Sequence, residues 1–193
     1  MTLDLQPTLA GQLVTLRPLR ADDHDVLHAV ACDPLIWEQH PAKERATPEG
    51  FRRFFEESLA SGGALLASDA ETGEVIGSSR YYAYDATARE VEIGWSFLAR
   101  SRWGGRYNGE MKRLMLEHAF QSVDRVIFVI AADNWRSRRA VEKIGGVYAG
   151  PHSEAGGQAR VVYEIRREDG KTEGREDGRR EGGRLGRRED LKE

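Results

Sequence analysis

Between Glu90 and Phe120 the chain reads EVEIGWSFLAR, SRWGGRYN and GEMKRLMLEHAF, and its hydrophobic period changes once along the way. Val91, Ile93, Trp95 and Phe97 alternate with Glu92, Gly94 and Ser96, the two-residue period of a strand with one buried face. From Tyr107 onward Met111, Leu114, Met115 and Ala119 fall on one helical face, and Glu110, Lys112, Arg113 and Glu117 on the other. A strand that runs through Gly104-Gly105 directly into a helix gathers unpaired backbone N–H groups and the positive end of the helix dipole at one point. Such a point binds anions, typically phosphate. A Gly-Gly turn also arises for steric reasons alone in a strand-to-helix connection, so the motif acquires meaning only from its surroundings.

A chain of 193 residues has the length of one domain with an appendage. Its formal charge of -3 gives no reason to expect nucleic acid as a partner. The single cysteine, Cys32, forms no internal disulfide and sits in an apolar helical pattern, which favours a packing role over a nucleophilic one. The N-terminus does not resemble a signal peptide and no apolar run approaches membrane-spanning length. A cytoplasmic protein with no membrane partner is expected. Residues 166–193 differ from the rest: Arg-Glu-Asp-Gly recurs at 167 and 175, and Leu185 and Leu191 are the only apolar side chains among dense mixed charge. Such a segment buries too little surface to offset chain entropy and reads as a disordered tail. It holds ten Lys/Arg and nine Asp/Glu, which leaves -4 on residues 1–165.

In chain order, residues 1–12 read as a loose lead-in, followed by a strand at about Leu13–Pro18 and a helix carrying Val26, Leu27, Val30 and Ala31. Asp33-Pro34 ends that helix. Leu35–Thr47, with Trp37, His40 and Pro41, reads as a loop. Thr47 and Pro48 open a second helix with Phe51, Phe54, Phe55 and Leu59 as its buried stripe. Two strands follow, Ala64–Ser68 and Glu74–Tyr84, and a turn leads into the strand at Glu90. After the central helix come a nearly continuous apolar strand at Arg125–Ala131, a helix capped by Asp133-Asn134, and a last strand pair near Gly146–Tyr148 and Arg160–Ile165. The order describes a mixed α/β domain over 13–165 rather than a repeating βαβ wheel.

Three local patterns within this order resemble the GCN5-related N-acetyltransferases, and among them the ribosomal-protein-alanine acetyltransferase (RimJ/RimL-like) type. Glu92-Ile-Gly-Trp is similar to the family's Glu-Ile-Gly-Tyr. Trp103-Gly-Gly-Arg-Tyr-Asn, followed by Glu110, resembles its pyrophosphate-binding turn. Asp133-Asn134-Trp-Arg-Ser137 leading to Glu142-Lys-Ile-Gly145 is similar to its Asn-x-x-Ser helix ending in Glu-Lys-x-Gly-Phe. The resemblance implies a central mixed, mostly antiparallel sheet of about seven strands, splayed at its centre and flanked by four helices. It implies acetyl transfer from acetyl-CoA, as co-substrate and without a metal, to a primary amine of a small molecule or a protein N-terminus.

The resemblance also assigns roles. Glu92 would be the general base and Ser137 the proton donor to sulfur, because the tyrosine common in the family is replaced here by Val141. The competing readings are a surface ion pair for Glu92 and an ordinary first-turn serine for Ser137. Phe97, Leu98 and Ala99 would pair with the pantetheine arm as a missing strand would. Trp103, Gly104, Gly105, Arg106, Tyr107 and Asn108 would hold the diphosphate, with Arg102 assisting and Asn134 reaching the thioester region. Arg106 stands where a second close-approach glycine is usual, so its side chain either clamps the diphosphate or obstructs it. Substrate selection would fall to Trp37, Arg80, Tyr81 and Tyr82, with a core plug as the other reading of Trp37. The negative charge of 1–165 would favour a cationic amine. A non-catalytic acyl-CoA-binding regulatory module, or an acyltransferase using another donor, stays open, as do monomer and homodimer.

Overall fold

The computed structural model describes residues 2–152 and 158–167. The elements are β1 (Leu9–Ala10), β2 (Val14–Pro18), α1 (His24–Ala31), α2 (Pro48–Ala60), β3 (Ala64–Asp69), β4 (Val75–Asp85) and β5 (Glu90–Leu98). They continue with α3 (Arg106–Ala119), β6 (Arg125–Ala131), α4 (Trp135–Glu142), β7 (Val147–His152) and β8 (Arg160–Arg166). One sheet of eight strands is formed, in the order β1-β2-β3-β4-β5-β6-β8-β7. Every neighbouring pair is antiparallel except β5 with β6, which is parallel. The charged tail read over 166–193 falls, after Arg167, outside the described residues.

Each face of the sheet is covered by helices, as its alternating pattern requires. One core cluster joins Leu27 and Ala31 of α1 and Phe51, Phe54 and Phe55 of α2 to Leu66, Phe97 and Trp37. The other joins Met111, Leu114 and Met115 of α3 and Val141 of α4 to Val91, Ile93, Val126, Phe128 and Tyr163. Thr47 caps α2 by accepting the Gly50 N–H at 3.1 Å, and Asn134 caps α4 by accepting the Ser137 N–H at 3.2 Å.

Three sequence expectations are corrected. The stretch 1–12 is not wholly a lead-in: Leu9–Ala10 add a strand against Leu16 and Thr15, and Leu3 is buried. That strand brings the sheet to eight, in keeping with the mixed, mostly antiparallel sheet of about seven strands and the four helices expected. Cys32 is exposed, because α1 ends at Ala31 and the chain turns its thiol out of the apolar stripe. Glu110, expected on the helix face turned away from the apolar stripe, accepts backbone N–H groups from Gln12 (3.1 Å), Leu13 (2.6 Å) and Val14 (2.8 Å). Its carboxylate fastens α3 to the start of β2. Burial works to raise its pKa, but those three donors and Arg113 hold it below the usual carboxylate value.

Removing that carboxylate leaves donors stranded between α3 and β2. Glu110→Ala is expected to lower unfolding free energy by about 2 kcal/mol in urea titration with little change of slope, and Glu110→Gln by less. Because the carboxylate pKa is depressed in the fold, the difference between wild type and Glu110→Ala should shrink as pH falls through the acid range.

Candidate active site

Strands β5 and β6 pair only at Glu90↔Arg125, Val91↔Val126 and Glu92↔Ile127. Past Glu92, β5 keeps its pairing with β4 out to Leu98, while β6 keeps its pairing with β8 out to Ala131. The two strands thus open into a wedge, and the β5 edge facing it has no strand partner. A bulge accompanies the opening: Arg80 faces Gly94 and Ser78 faces Phe97, so Ser79 alone opposes both Trp95 and Ser96. Trp95 carries the strain of the bulge at φ 51°, a left-handed conformation unusual for a large side chain. The extra residue shifts the alternation, so that Trp95 and Phe97 pack with the α1/α2 cluster while Ser96 reaches toward α3.

Two cavities meet in the wedge. One, of about 600 Å³, is bordered by Tyr82, Glu92, Gly94, Trp95, Arg45 and Arg160. The other, of about 660 Å³, is bordered by Phe97, Leu98, Trp103, Gly104 and Gly105. Trp37, His40, Ser96, Asn108, Asn134 and Ser137 line both. Both volumes are of the size that holds a small ligand.

At the outer end of the second cavity, Gly104 and Gly105 adopt φ of 104° and 111°, conformations open to glycine at little cost. A methyl group added at either would meet nothing within 4 Å, so the space over the turn is open. Gly105 is the N-cap of the 14-residue α3; it supplies no side-chain cap, and no acidic residue occupies the first turn. The first-turn N–H groups and the positive end of the dipole are therefore left for an external anion.

On the α3 side of the wedge lies a side chain that sequence reasoning placed in solvent. Lys112 is 4 % exposed and borders the first cavity. Its Nζ donates to Ser79 Oγ at 3.0 Å and to Ser96 Oγ, and these two hydroxyls are 2.8 Å apart. Burial pushes its pKa down to about 7. Burial thus disfavours the charged form of this amine, which sits beside a hydroxyl that reaches both cavities.

A family model for the acetyltransferase (GNAT) domain matches residues 14–147. The chain belongs to the acetyltransferase (GNAT) family. Among solved structures, a GCN5-related N-acetyltransferase from Brucella melitensis aligns at TM-score 0.75 and 20% identity, covering 85% of this chain and 80% of that one. An acetyltransferase from Agrobacterium tumefaciens str. C58 aligns at TM-score 0.65 and 25% identity, with coverage of 82% and 94%. RimJ of Mycobacterium smegmatis, solved in complex with CoA-disulfide, aligns at TM-score 0.64 and 19% identity, with coverage of 84% and 87%. A search of curated proteins finds no match.

Of the site residues expected for a GNAT domain, the wedge brings together Glu92, Asn134, Ser137, Phe97, Leu98, Trp103, Gly104, Gly105 and Asn108. The Ala99 N–H is already given to Ile76 O at 2.8 Å, on the β4 side. Arg102 borders the second cavity, but Asp69 and Glu74 hold its guanidinium at 3.2 Å each. Tyr107 gives its hydroxyl to Asp69 at 2.8 Å, which leaves only its backbone for an anion. Arg106 is exposed and lines neither cavity, so its side chain does not fill the space over the turn.

On the acceptor side the expectations divide by strand alternation. Tyr82 borders the first cavity and packs edge-on against Trp95 at 4.9 Å. Arg80 shares its face, buried over the Trp95 ring at 4.5 Å. Tyr81 points the other way: it is fully buried and donates its hydroxyl to Met115 O at 2.7 Å, so its expected substrate role is corrected to a core role. Trp37 is both plug and wall, buried with Nε1 donating to Ala31 O at 2.7 Å while lining both cavities. Lys112, Ser96 and Arg45 were missed. Lys112 carried one available signal, its helical offset of one residue from Met111, but nothing in the sequence revealed the serines opposite it. Among the described residues no group of three or more His, Cys, Asp or Glu could hold a metal ion, and no helix is long and apolar enough to cross a membrane.

A buried lysine titrating near neutrality must leave its mark on stability. Lys112 binds its proton less readily in the fold than in the unfolded chain, so its contribution to stability rises with pH between about 7 and the ordinary lysine value. Lys112→Met should remove that rise. Chemical unfolding of both proteins at pH 6.5 and pH 9 is expected to show wild type gaining stability relative to Lys112→Met at the higher pH.

Proposed function

We propose that the protein is an acetyl-CoA-dependent N-acetyltransferase whose wedge between β5 and β6 holds the acyl donor while Glu92 takes the proton of the incoming amine. The observation that carries this reading is the end of the parallel pairing at Glu92↔Ile127. It opens one path from the uncapped start of α3 to the cavity bordered by Glu92. The CoA-disulfide complex of M. smegmatis RimJ supports the choice of donor, and with it a RimJ-like affinity.

The residues present fit such a donor. The first-turn N–H groups of α3, with Gly104 and Gly105, would bind the diphosphate. The edge of β5 past Glu92, short of the Leu98 carbonyl that already accepts Trp103 Nε1 at 3.0 Å, would accept the amide-bearing arm in the manner of an added strand. Asn134, buried and bordering both cavities, would orient the reactive end. When bound, the donor supplies an activated thioester. Everything else belongs to the protein: Glu92 receives a proton so that the amine attacks as a free base, and the departing sulfur gains a proton from a nearby donor. Ser137 lines both cavities and is one such donor. Lys112 is a second, since its Nζ is joined through the Ser96 hydroxyl to the same space.

Glu92→Gln keeps the shape of the side chain and removes its basicity. Turnover on a responsive amine should fall by about a hundredfold near neutral pH, the usual worth of a positioned base. Calorimetric binding of acetyl-CoA should stay within about twofold of wild type. Unaltered turnover in this variant contradicts the role given to Glu92.

A further inference from the structure

The cavity bordered by Glu92 carries positive charge, although residues 1–165 are negative as a whole. Arg45 lines it, half-buried, with its guanidinium 4.5 Å from the Phe54 ring and 5.6 Å from the Trp37 ring. Among the described residues its one side-chain hydrogen-bond neighbour is His40, with Nη1 at 3.5 Å from Nε2. That neighbour does not satisfy it. His40 Nδ1 accepts the Ala42 N–H at 3.0 Å, so the ring proton sits on Nε2. Arg45 Nη1 and His40 Nε2 are then two donors side by side, and protonating the ring leaves both of them donors.

No carboxylate lies within ion-pair distance of Arg45 among the described residues. Glu44 and Glu57 act on it only from further away. Behind it Arg80, 4 % exposed, donates to Ser58 Oγ at 2.5 Å and leaves Nε without a partner. Arg160 and Arg136 add to the positive field at His40, whose pKa is lowered to about 4 by burial first and by those cations and Arg45 second. A guanidinium removed from water and left without a counter-charge is costly unless something anionic completes it.

We propose that the acceptor is a primary amine that also bears a carboxylate, and that Arg45 and His40 bind this carboxylate in the cavity where Glu92 receives the amine proton. The idea rests on the acetyl-transfer reading above, and it replaces the cationic acceptor expected from net charge. A carboxylate accepts from Arg45 and His40 Nε2 together and supplies the counter-charge; an amide oxygen accepts without that charge, and a second ammonium cannot accept at all. The shared chemistry occurs in free amino acids and in peptides with an acidic residue near the N-terminus.

Matched acceptors separate the possibilities: free L-amino acids against their amides, and Ala-Glu peptide amides against Ala-Gln ones, with acetyl-CoA and the full chain. The carboxylate member of at least one set should show a kcat/KM about tenfold higher or more, and the set that responds names the source. Arg45→Gln should collapse that ratio toward one through KM, and Arg45→Lys should retain part of it. Discrimination by the wild-type protein needs no variant and stands even where a variant folds poorly. Amides equal to or better than acids in both sets overturn the proposal. Silence of every amine and peptide contradicts acetyl transfer instead, and calorimetry with the amino acid alone then decides. Binding that Arg45→Gln abolishes supports the carboxylate site, while absent or unchanged binding refutes it.

Discussion

The divergence of β5 from β6 after Glu92 and Ile127 is the constraint on which the rest of this molecule depends. Backbone polar groups in a sheet centre ordinarily find partners in the neighbouring strand. Here one strand edge in the middle of an eight-stranded sheet gives up its partner for two-thirds of its length, six of the nine residues of β5. The loss is tolerable because β5 stays fully paired to β4 on its other side, through a bulge whose strained residue is Trp95. The helices complete the arrangement. Buried Phe51, Phe54 and Phe55 of α2 and Met111 and Met115 of α3 hold the two halves of the sheet from opposite faces, so the wedge is a property of the packed core.

Helix α3 ties this opening to electrostatics at three depths. Its uncapped first turn presents N–H groups at the outer end of the wedge. One turn in, Glu110 reaches back to Gln12, Leu13 and Val14 and fixes the helix against β2. On the side facing the sheet, Lys112 reaches Ser79 and Ser96. The cavity beyond is lined by Arg45, Arg160 and Glu92. Net charge therefore misdescribes the site: a chain that is negative overall lines this cavity with Arg45, Lys112 and Arg160 beside Glu92.

Local patterns made much of this legible. The two-residue period of 90–97 and the 3.6-residue period after Tyr107 located β5 and α3, and the Gly104-Gly105 turn between them was visible as a junction. What stayed hidden depends on pairing across the sheet. Leu9–Ala10 is too short to announce itself as a strand and exists only because Leu16 and Thr15 offer an edge. Tyr81 and Tyr82 look interchangeable in sequence, yet alternation sends one into the core and the other to the cavity. Glu110 and Lys112 sit on the polar stripe of α3 by any helical wheel. Both are drawn inward by partners about a hundred or a few tens of residues away in the chain, 98 for Gln12 and 33 for Ser79. Arg45, in a loop segment without periodicity, gave no signal at all.

The most direct test of the wedge as an acyl-donor channel is a crystal structure of the full chain with acetyl-CoA. The account predicts an amide-bearing arm hydrogen-bonded along the β5 edge between Gly94 and Phe97, a diphosphate over Gly104 and Gly105, and a thioester between Ser96 and Asn134. Density for the donor elsewhere, with the β5 edge still facing solvent, contradicts it.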